Sequence, residues 1–193
     1  MFTNSPDLAQ ARSLPQSIGR NREQDWSELE CEVVALFDQY RHRLLAFVSA
    51  FSLTGHDAEE VVQEVFLSLF RHLVAGKPRS NLQGWLFRVA HNLALKQRYA
   101  NQRRHKWIDP GGFLDAPLYD PSPTPEQHVV SAQQRQKMLS VVEALPEQDR
   151  LCFTLRAEGL RYREIAHVLG ISLGSVALSL TRSIARIMRA AEL

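Results

Sequence analysis

The chain has 193 residues, of which 45% are hydrophobic and 23% charged, and its formal net charge is +2. That is enough for one domain or two small ones, and the net charge is too small to imply nucleic-acid binding by its sum alone. Cys31 and Cys152 lie far apart, the seven histidines are scattered, and no apolar run approaches the length of a bilayer span. These features argue against a disulfide framework, a metal or cofactor site and membrane insertion, and favour a reducing cytoplasm. Residues 1–12 lack the basic start and apolar core of a signal peptide.

Residues 1–28 mix Pro6, Pro15, Ser, Gln and charges of both signs without a period, and read as a mobile arm. From 29 to 51, Val33, Val34, Phe37, Tyr40, Leu44, Leu45, Val48 and Phe51 recur at three- and four-residue steps, predicting an amphipathic helix. Thr54-Gly55-His56 breaks it. Asp57 is expected to cap a second helix, with Glu60 completing a capping box and Val61, Val62, Val65, Phe66, Leu69 and Leu73 buried. Residues 76–80 form a loop. Asn81 then opens a third helix with the stripe Leu82, Trp85, Leu86, Val89 and Leu93.

After Lys106, prolines and glycines exclude long helices, and Asp109, Asp115, Asp120 and Glu126 make the segment acidic. Residues 107–126 are therefore expected to be a flexible linker. About 20 residues can stretch to roughly 70 Å, about two turns of duplex DNA. An amphipathic helix resumes from 127 to 145, and Pro146 precedes another over 147–157. The fold expected is all-α: a three-helix bundle over 29–106 and a four-helix domain over 127–193, joined by the linker.

The end of the chain is its most informative part. Arg161 to Leu169 predicts a short helix with Ile165, Ala166 and Leu169 buried; Gly170 ends it and Ser172 caps a second helix. A helical hairpin in a bundle would share part of this pattern. The register of Glu-Ile-Ala, Leu-Gly-Ile-Ser and Val176 favours a helix-turn-helix, whose second helix enters the major groove. Upstream, Lys96, Arg98, Arg103, Arg104 and Lys106 cluster with Tyr99 and Trp107 and no acid between them. Cations attract phosphate and flat rings stack on exposed bases, a combination suited to DNA being opened, although a charge run also serves as a solvated face. Lys77, Arg79, Ser80 and Asn81 add polar groups able to read base edges.

These segments together resemble a bacterial sigma factor of the extracytoplasmic-function (ECF) group of the sigma-70 family. The resemblance rests on Asp57-Ala-Glu-Glu-Val-Val-Gln-Glu-Val-Phe, Trp85-Leu-Phe-Arg-Val-Ala-His-Asn, Leu145-Pro146, Arg150, and Arg163-Glu-Ile-Ala through Val176. It covers everything beyond the N-terminal arm. It implies that the second helix docks on core RNA polymerase through Glu60, Gln63, Glu64, Phe66 and Phe70, although Phe66 and Glu60 also fit the core and a cap. The loop Lys77, Arg79, Ser80 and Asn81 would hold a base flipped from the minus-ten element, and Asn92, Lys96, Arg98, Arg103 and Arg104 would follow the melting strand. The linker would thread through the polymerase.

The resemblance places the last helix on the minus-thirty-five element, with Arg161, Arg163, Ser172, Ser175, Ala177, Leu178, Ser179 and Arg182 as its contacts. Here the chain departs from the family pattern: Ala177 and Ser179 stand where basic residues are usual, while Val176, Leu180, Ile184 and Ile187 read as the buried stripe. Methyl contacts from Ala177 or Leu178 to thymine suit such a surface. The function implied is promoter recognition and melting with core polymerase, open to control by an anti-sigma factor and using no catalytic residue, metal or cofactor of its own. The alternatives are a sigma-like decoy, favoured by the depleted recognition helix, and a stand-alone helix-turn-helix regulator, which would leave residues 57–70 without a role. No nucleophile–base pair, phosphate-binding glycine loop or metal-ligand spacing supports an enzyme.

Overall fold

A computed structural model describes residues 17–108 and 139–191, with side chains from 27 to 104 and from 139 to 190. The linker and most of the helix expected from 127 lie outside the described residues. Among the described residues every regular element is a helix: α1 (Ser17–Ser49), α2 (Gly55–Val74), α3 (Leu82–Ile108), α4 (Glu147–Ala157), α5 (Tyr162–Leu169) and α6 (Leu173–Ala191). Residues 139–143 are also helical. No single described helix is long and apolar enough to cross a membrane.

α1 begins well before the expected residue 29. The stretch Arg20-Asn-Arg-Glu-Gln has good helix formers but no apolar stripe, and a helix already nucleated downstream can propagate into it. The apolar face of α1 is also rotated from the expected one. Tyr40, Leu44, Phe47, Val48 and Phe51 are buried, whereas Val34 is exposed. Phe47, absent from the expected stripe, meets the ring of Phe87 edge-on at 5.3 Å and that of Phe51 at 5.6 Å. α2 buries Ala58, Val61, Val62, Val65, Phe66, Leu69 and Leu73, and α3 contributes Leu86, Phe87, Ala90 and Ala94.

The start of α2 differs from expectation. Thr54, not Asp57, is the N-cap: its hydroxyl oxygen accepts the Asp57 N–H at 3.1 Å and donates to the Asp57 carboxylate at 2.7 Å. Gly55 and His56 belong to the helix, and Asp57 takes the third position that the box had assigned to Glu60. Asp57 also accepts from Gln97 and Asn101 at 2.8 and 2.9 Å, tying the start of α2 to the far part of α3. α3 itself continues to Ile108, past the residue where the linker was expected to begin.

The C-terminal helices close over Leu151, Cys152, Leu155, Leu160, Ile165, Val168, Val176 and Leu180. They rest on the first bundle. α5 packs on α3, while Arg150 donates to the Ala50 carbonyl at 2.7 Å and Arg98 to Glu147 at 2.6 Å. Glu158 joins Arg43 in an ion pair, and its carbonyl accepts from Gln83 at 2.6 Å.

Candidate nucleic-acid interface

The loop between α2 and α3 is held rigidly from both ends. Gly76 takes the left-handed conformation (φ 63°), the Gly76 N–H reaches the Leu73 carbonyl at 2.9 Å, and the Lys77 N–H reaches that of His72 at 3.2 Å. Together these form a Schellman close to α2. His72 then bonds the Pro78 carbonyl at 3.0 Å and lays its ring 4.6 Å from that of Trp85. Lys77, Arg79, Ser80 and Asn81 all emerge exposed on this frame.

Asn81 joins the loop to α3. It sits at φ 56°, a region that asparagine tolerates better than most residues. Its side-chain oxygen accepts the Gly84 N–H at 3.1 Å, capping α3, while its amide nitrogen donates to the Glu164 carboxylate of α5 at 2.9 Å. A Cβ at Gly84 would lie 2.7 Å from the Asn81 Nδ2, so glycine is required for this close approach.

Asn81 opens onto a cleft of about 320 Å³ whose near wall is Ser80, Gly84, Trp85 and Arg88. The far wall is Arg163, Glu164, His167 and Val168 of α5. A half-buried indole beside a guanidinium and an amide donor can stack on and hydrogen-bond an unstacked base. Trp85 was expected only in the core and Arg88 was not expected at all. The four-residue step from Arg88 to Asn92 and Lys96 was the available signal.

Along α3, Asn92, Lys96, Tyr99 and Arg103 are exposed at three- and four-residue steps, and Arg104 is exposed beside them. Arg98 leaves this row: it pairs with Glu147 and stands over the rings of Phe51 and Tyr99. His91, half-buried beneath the row, has its pKa lowered, first by burial. Hydrogen bonds from Thr54, Gln97 and Asn101 outweigh the opposing effect of burial on Asp57 and hold its carboxyl below the ordinary 3.8.

A second groove, also about 320 Å³, runs between α2 and α3 and brings together Glu60, Gln63, Glu64, Leu67, Leu93 and Lys96. Gln63 and Glu60 are exposed and Glu64 half-buried, with Glu64 accepting from Arg71 at 3.2 Å. Phe70 is half-buried. Phe66 does not reach this surface: it is 6% exposed and packs 4.8 Å from the Phe37 ring, so it belongs to the core.

In the C-terminal unit, Gly170 turns the chain at φ 66° and the Ser172 hydroxyl accepts the Ser175 N–H at 3.1 Å, as the helix-turn-helix pattern requires. The Glu164 carboxylate accepts the Arg161 N–H at 2.6 Å, closing the start of α5. Arg161 and Arg163 are exposed, as are Ser172 and Leu178; Ser175 and Ala177 are half-buried.

Two expected contacts of α6 belong elsewhere. Ser179 is fully buried and accepts from Gln148 at 3.1 Å, so it does not face the groove side. Arg182 grips the buried Asp149 with two hydrogen bonds of 2.7 and 3.1 Å. Burial alone would raise the Asp149 carboxyl, but these bonds and that of Ser179 hold it below 3.8. The stripe of α6 is also corrected: Val176 and Leu180 are buried, yet Ser183 takes the place expected for Ile184, which is 49% exposed. Ser183 donates to the Ser179 carbonyl at 2.8 Å and satisfies its own hydroxyl inside the core.

The family model of sigma-70 region 2 matches residues 36–105, and that of sigma-70 region 4 matches residues 135–187. The ECF RNA polymerase sigma-E factor of Escherichia coli (strain K12) is 32% identical over 144 residues, covering 72% of this chain and 75% of that protein. The ECF RNA polymerase sigma factor SigE of Mycolicibacterium smegmatis is 31% identical over 142 residues, 73% of this chain and 54% of the relative. In fold the chain is similar to the sigma factor RpoE crystallised with the anti-sigma factor NepR from Bartonella quintana. The TM-score is 0.65 at 20% identity, over 86% of this chain and 98% of that one.

Proposed function

Because the chain belongs to the ECF sigma factors of the sigma-70 family and is a promoter-recognising initiation factor, we propose how its residues divide that work. Residues 29–106 act as region 2, 127–193 as region 4, and 107–126 as the connection between them. The α2–α3 groove, through Glu60, Gln63, Glu64 and Phe70, takes core polymerase. The observation that carries this reading is that groove's position: it adjoins, on the same two helices, the loop and cleft suited to an unstacked base.

Melting a base pair costs a few kcal/mol of stacking, and a protein supplies it by holding the base that leaves. Trp85 offers a stacking face, Asn81 an amide donor, and Arg79 and Arg88 cations toward phosphate. Asn92, Lys96, Arg103 and Arg104 lie along the path of the opened strand and neutralise its backbone. Upstream, α6 enters the major groove with Ser172, Ser175, Ala177 and Leu178 toward the bases, while Arg161 and Arg163 of the first helix meet phosphates. Lacking cations on its leading turns, α6 reads through methyl and hydroxyl contacts, which favours thymine-rich sequence. The protein acts by binding, as a cytoplasmic subunit with no catalytic residue. A region 2–region 4 pair of this kind also fits an anti-sigma partner, the company in which the RpoE relative was crystallised.

Transcription reconstituted with core polymerase on a library of promoter fragments tests this division, with a Gln63→Ala, Glu64→Ala variant alongside. Specific transcripts from the parent and none from the variant are expected. Binding to core without transcripts marks a decoy; absence of core binding by the parent overturns the reading.

A further inference from the structure

The near wall of the cleft meets a base in two ways: Trp85 offers a flat face, and Ser80 and Asn81 offer polar edges. One residue that does not line the cleft is tied to both parts. His72, in the last turn of α2, is half-buried behind them. Its backbone carbonyl accepts the Lys77 N–H at 3.2 Å, and its Nε2 lies 3.0 Å from the Pro78 carbonyl oxygen. Its ring centroid stands 4.6 Å from that of Trp85, with the planes inclined at 46°.

A carbonyl oxygen can only accept, so Nε2 carries the proton and donates. Pro78 has a fixed φ, which leaves ψ as the soft dihedral that aims the chain into Arg79, Ser80 and Asn81. The bond from His72 pins that dihedral at the carbonyl. The ring contact acts on the other part of the wall, because two flat rings in tilted contact restrict the swing of the indole. A cation placed at a helix end for its charge alone needs neither a buried ring nor a partner for it. Here the imidazole uses an N–H for the loop and its ring for the indole. Phenylalanine supplies only the second, and glutamine only the first.

We propose that His72 is a positioning residue for base capture: it locks the stacking face of Trp85 and the polar edges of residues 79–81 into one geometry, so that both meet the same unstacked base. The inference rests on the reading of that cleft given above. A base leaving the stack must find face and edge together, and a preorganised pair loses less on binding than two groups that move independently. His72 acts through Trp85 and the loop, without contact to the nucleotide.

The test uses holoenzyme reconstituted with core polymerase and a labelled single strand carrying the minus-ten sequence of a promoter found in the transcription assay. Fluorescence anisotropy gives the affinity for the intact strand and for strands made abasic at each position in turn. One position should report the captured base, its removal weakening the parent about tenfold. His72→Ala should weaken binding of the intact strand about five- to tenfold, and binding of the strand abasic at that position hardly at all. His72→Gln, which keeps the donor, and His72→Phe, which keeps the ring, should each recover part of the loss. The bond to Pro78 is solvent-exposed, so the melting temperature of His72→Ala should fall by no more than about 4 °C.

If no abasic position weakens the parent, or Trp85→Ala leaves its affinity for the intact strand unchanged, the reading of the cleft falls and the proposal with it. If Trp85→Ala weakens binding and His72→Ala does not, the cleft stands and the positioning role is overturned. A loss in His72→Ala that is equal on intact and abasic strands, with no recovery in His72→Gln or His72→Phe, is general damage to the fold and overturns it as well.

Discussion

Gly84→Ala separates the base-reading function proposed for the α2–α3 loop from its stability. A Cβ there would sit 2.7 Å from Asn81 Nδ2 and 2.9 Å from its Oδ1, so the Asn81 side chain must swing away. Its cap to the Gly84 N–H, 3.1 Å long, is lost, at a cost of about 1 kcal/mol, and its solvent-exposed 2.9 Å bond to Glu164 goes with it, adding a few tenths of a kcal/mol. Replacing glycine by alanine within a helix returns about 0.5–1 kcal/mol through backbone entropy. The two nearly cancel, and the melting temperature should move by no more than about 2 °C. Promoter opening has no such compensation: losing one hydrogen bond of about 1 kcal/mol to the captured base lowers it about fivefold. Thermal denaturation of the variant, together with permanganate reactivity of promoter thymines in the reconstituted holoenzyme, measures both quantities. Unchanged opening, or a fall in melting temperature above about 5 °C, would refute the reasoning.

Phe66→Ala should cost about 3–4 kcal/mol in urea denaturation because the ring is core, whereas the Gln63→Ala, Glu64→Ala pair should stay within about 0.5 kcal/mol while abolishing pull-down of core polymerase. Ser179→Arg, which restores a cation at the position usual in the family, forces it into a fully buried site. It should destabilise by about 3 kcal/mol or more, and no gain in binding to minus-thirty-five duplex should appear in a gel-shift titration. Asp57 and Asp149 have folded pKa values below the ordinary 3.8, so their stabilisation is complete above that value and is lost as pH falls through the lower folded values. Urea midpoints from about pH 6 to pH 2.5 should therefore drop steeply in the acid range, and less steeply in Asp149→Asn.

The helices were legible because apolar periodicity is a local property, and so were the turn at Gly170 and the Ser172 cap. Finer placement was not. The start of α1 escaped because Ser17 to Glu28 extends a helix by propensity, without a stripe to mark it. The cap of α2 moved from Asp57 to Thr54 because both residues can cap, and only the engagement of Asp57 by Gln97 and Asn101 of α3 shows which position it takes. Phe66 fitted both a core and a docking reading on one helix face, and Phe37 from α1 decides for the core.

In the last helix a three- to four-residue period admits two neighbouring stripes, one through Ile184 and one through Ser183, and hydropathy favours the wrong one. Asp149 from α4 selects the other: it binds Arg182, while its carbonyl accepts from Ser183 at 3.3 Å, turning Ser179 inward with it. Sequence alone determined the family, the all-α class, the helix-turn-helix and the position of the α2–α3 loop, since each is written in short-range spacing and residue type. The tertiary structure decided which polar side chains are engaged by partners within the protein, Ser179, Arg182 and Arg98 among them, and that α5 forms one wall of the cleft beside the α2–α3 loop. Those outcomes depend on partners 30 to 100 residues away along the chain, such as Asp149 for Arg182 and Glu164 for Asn81, and no local pattern encodes a partner at that distance.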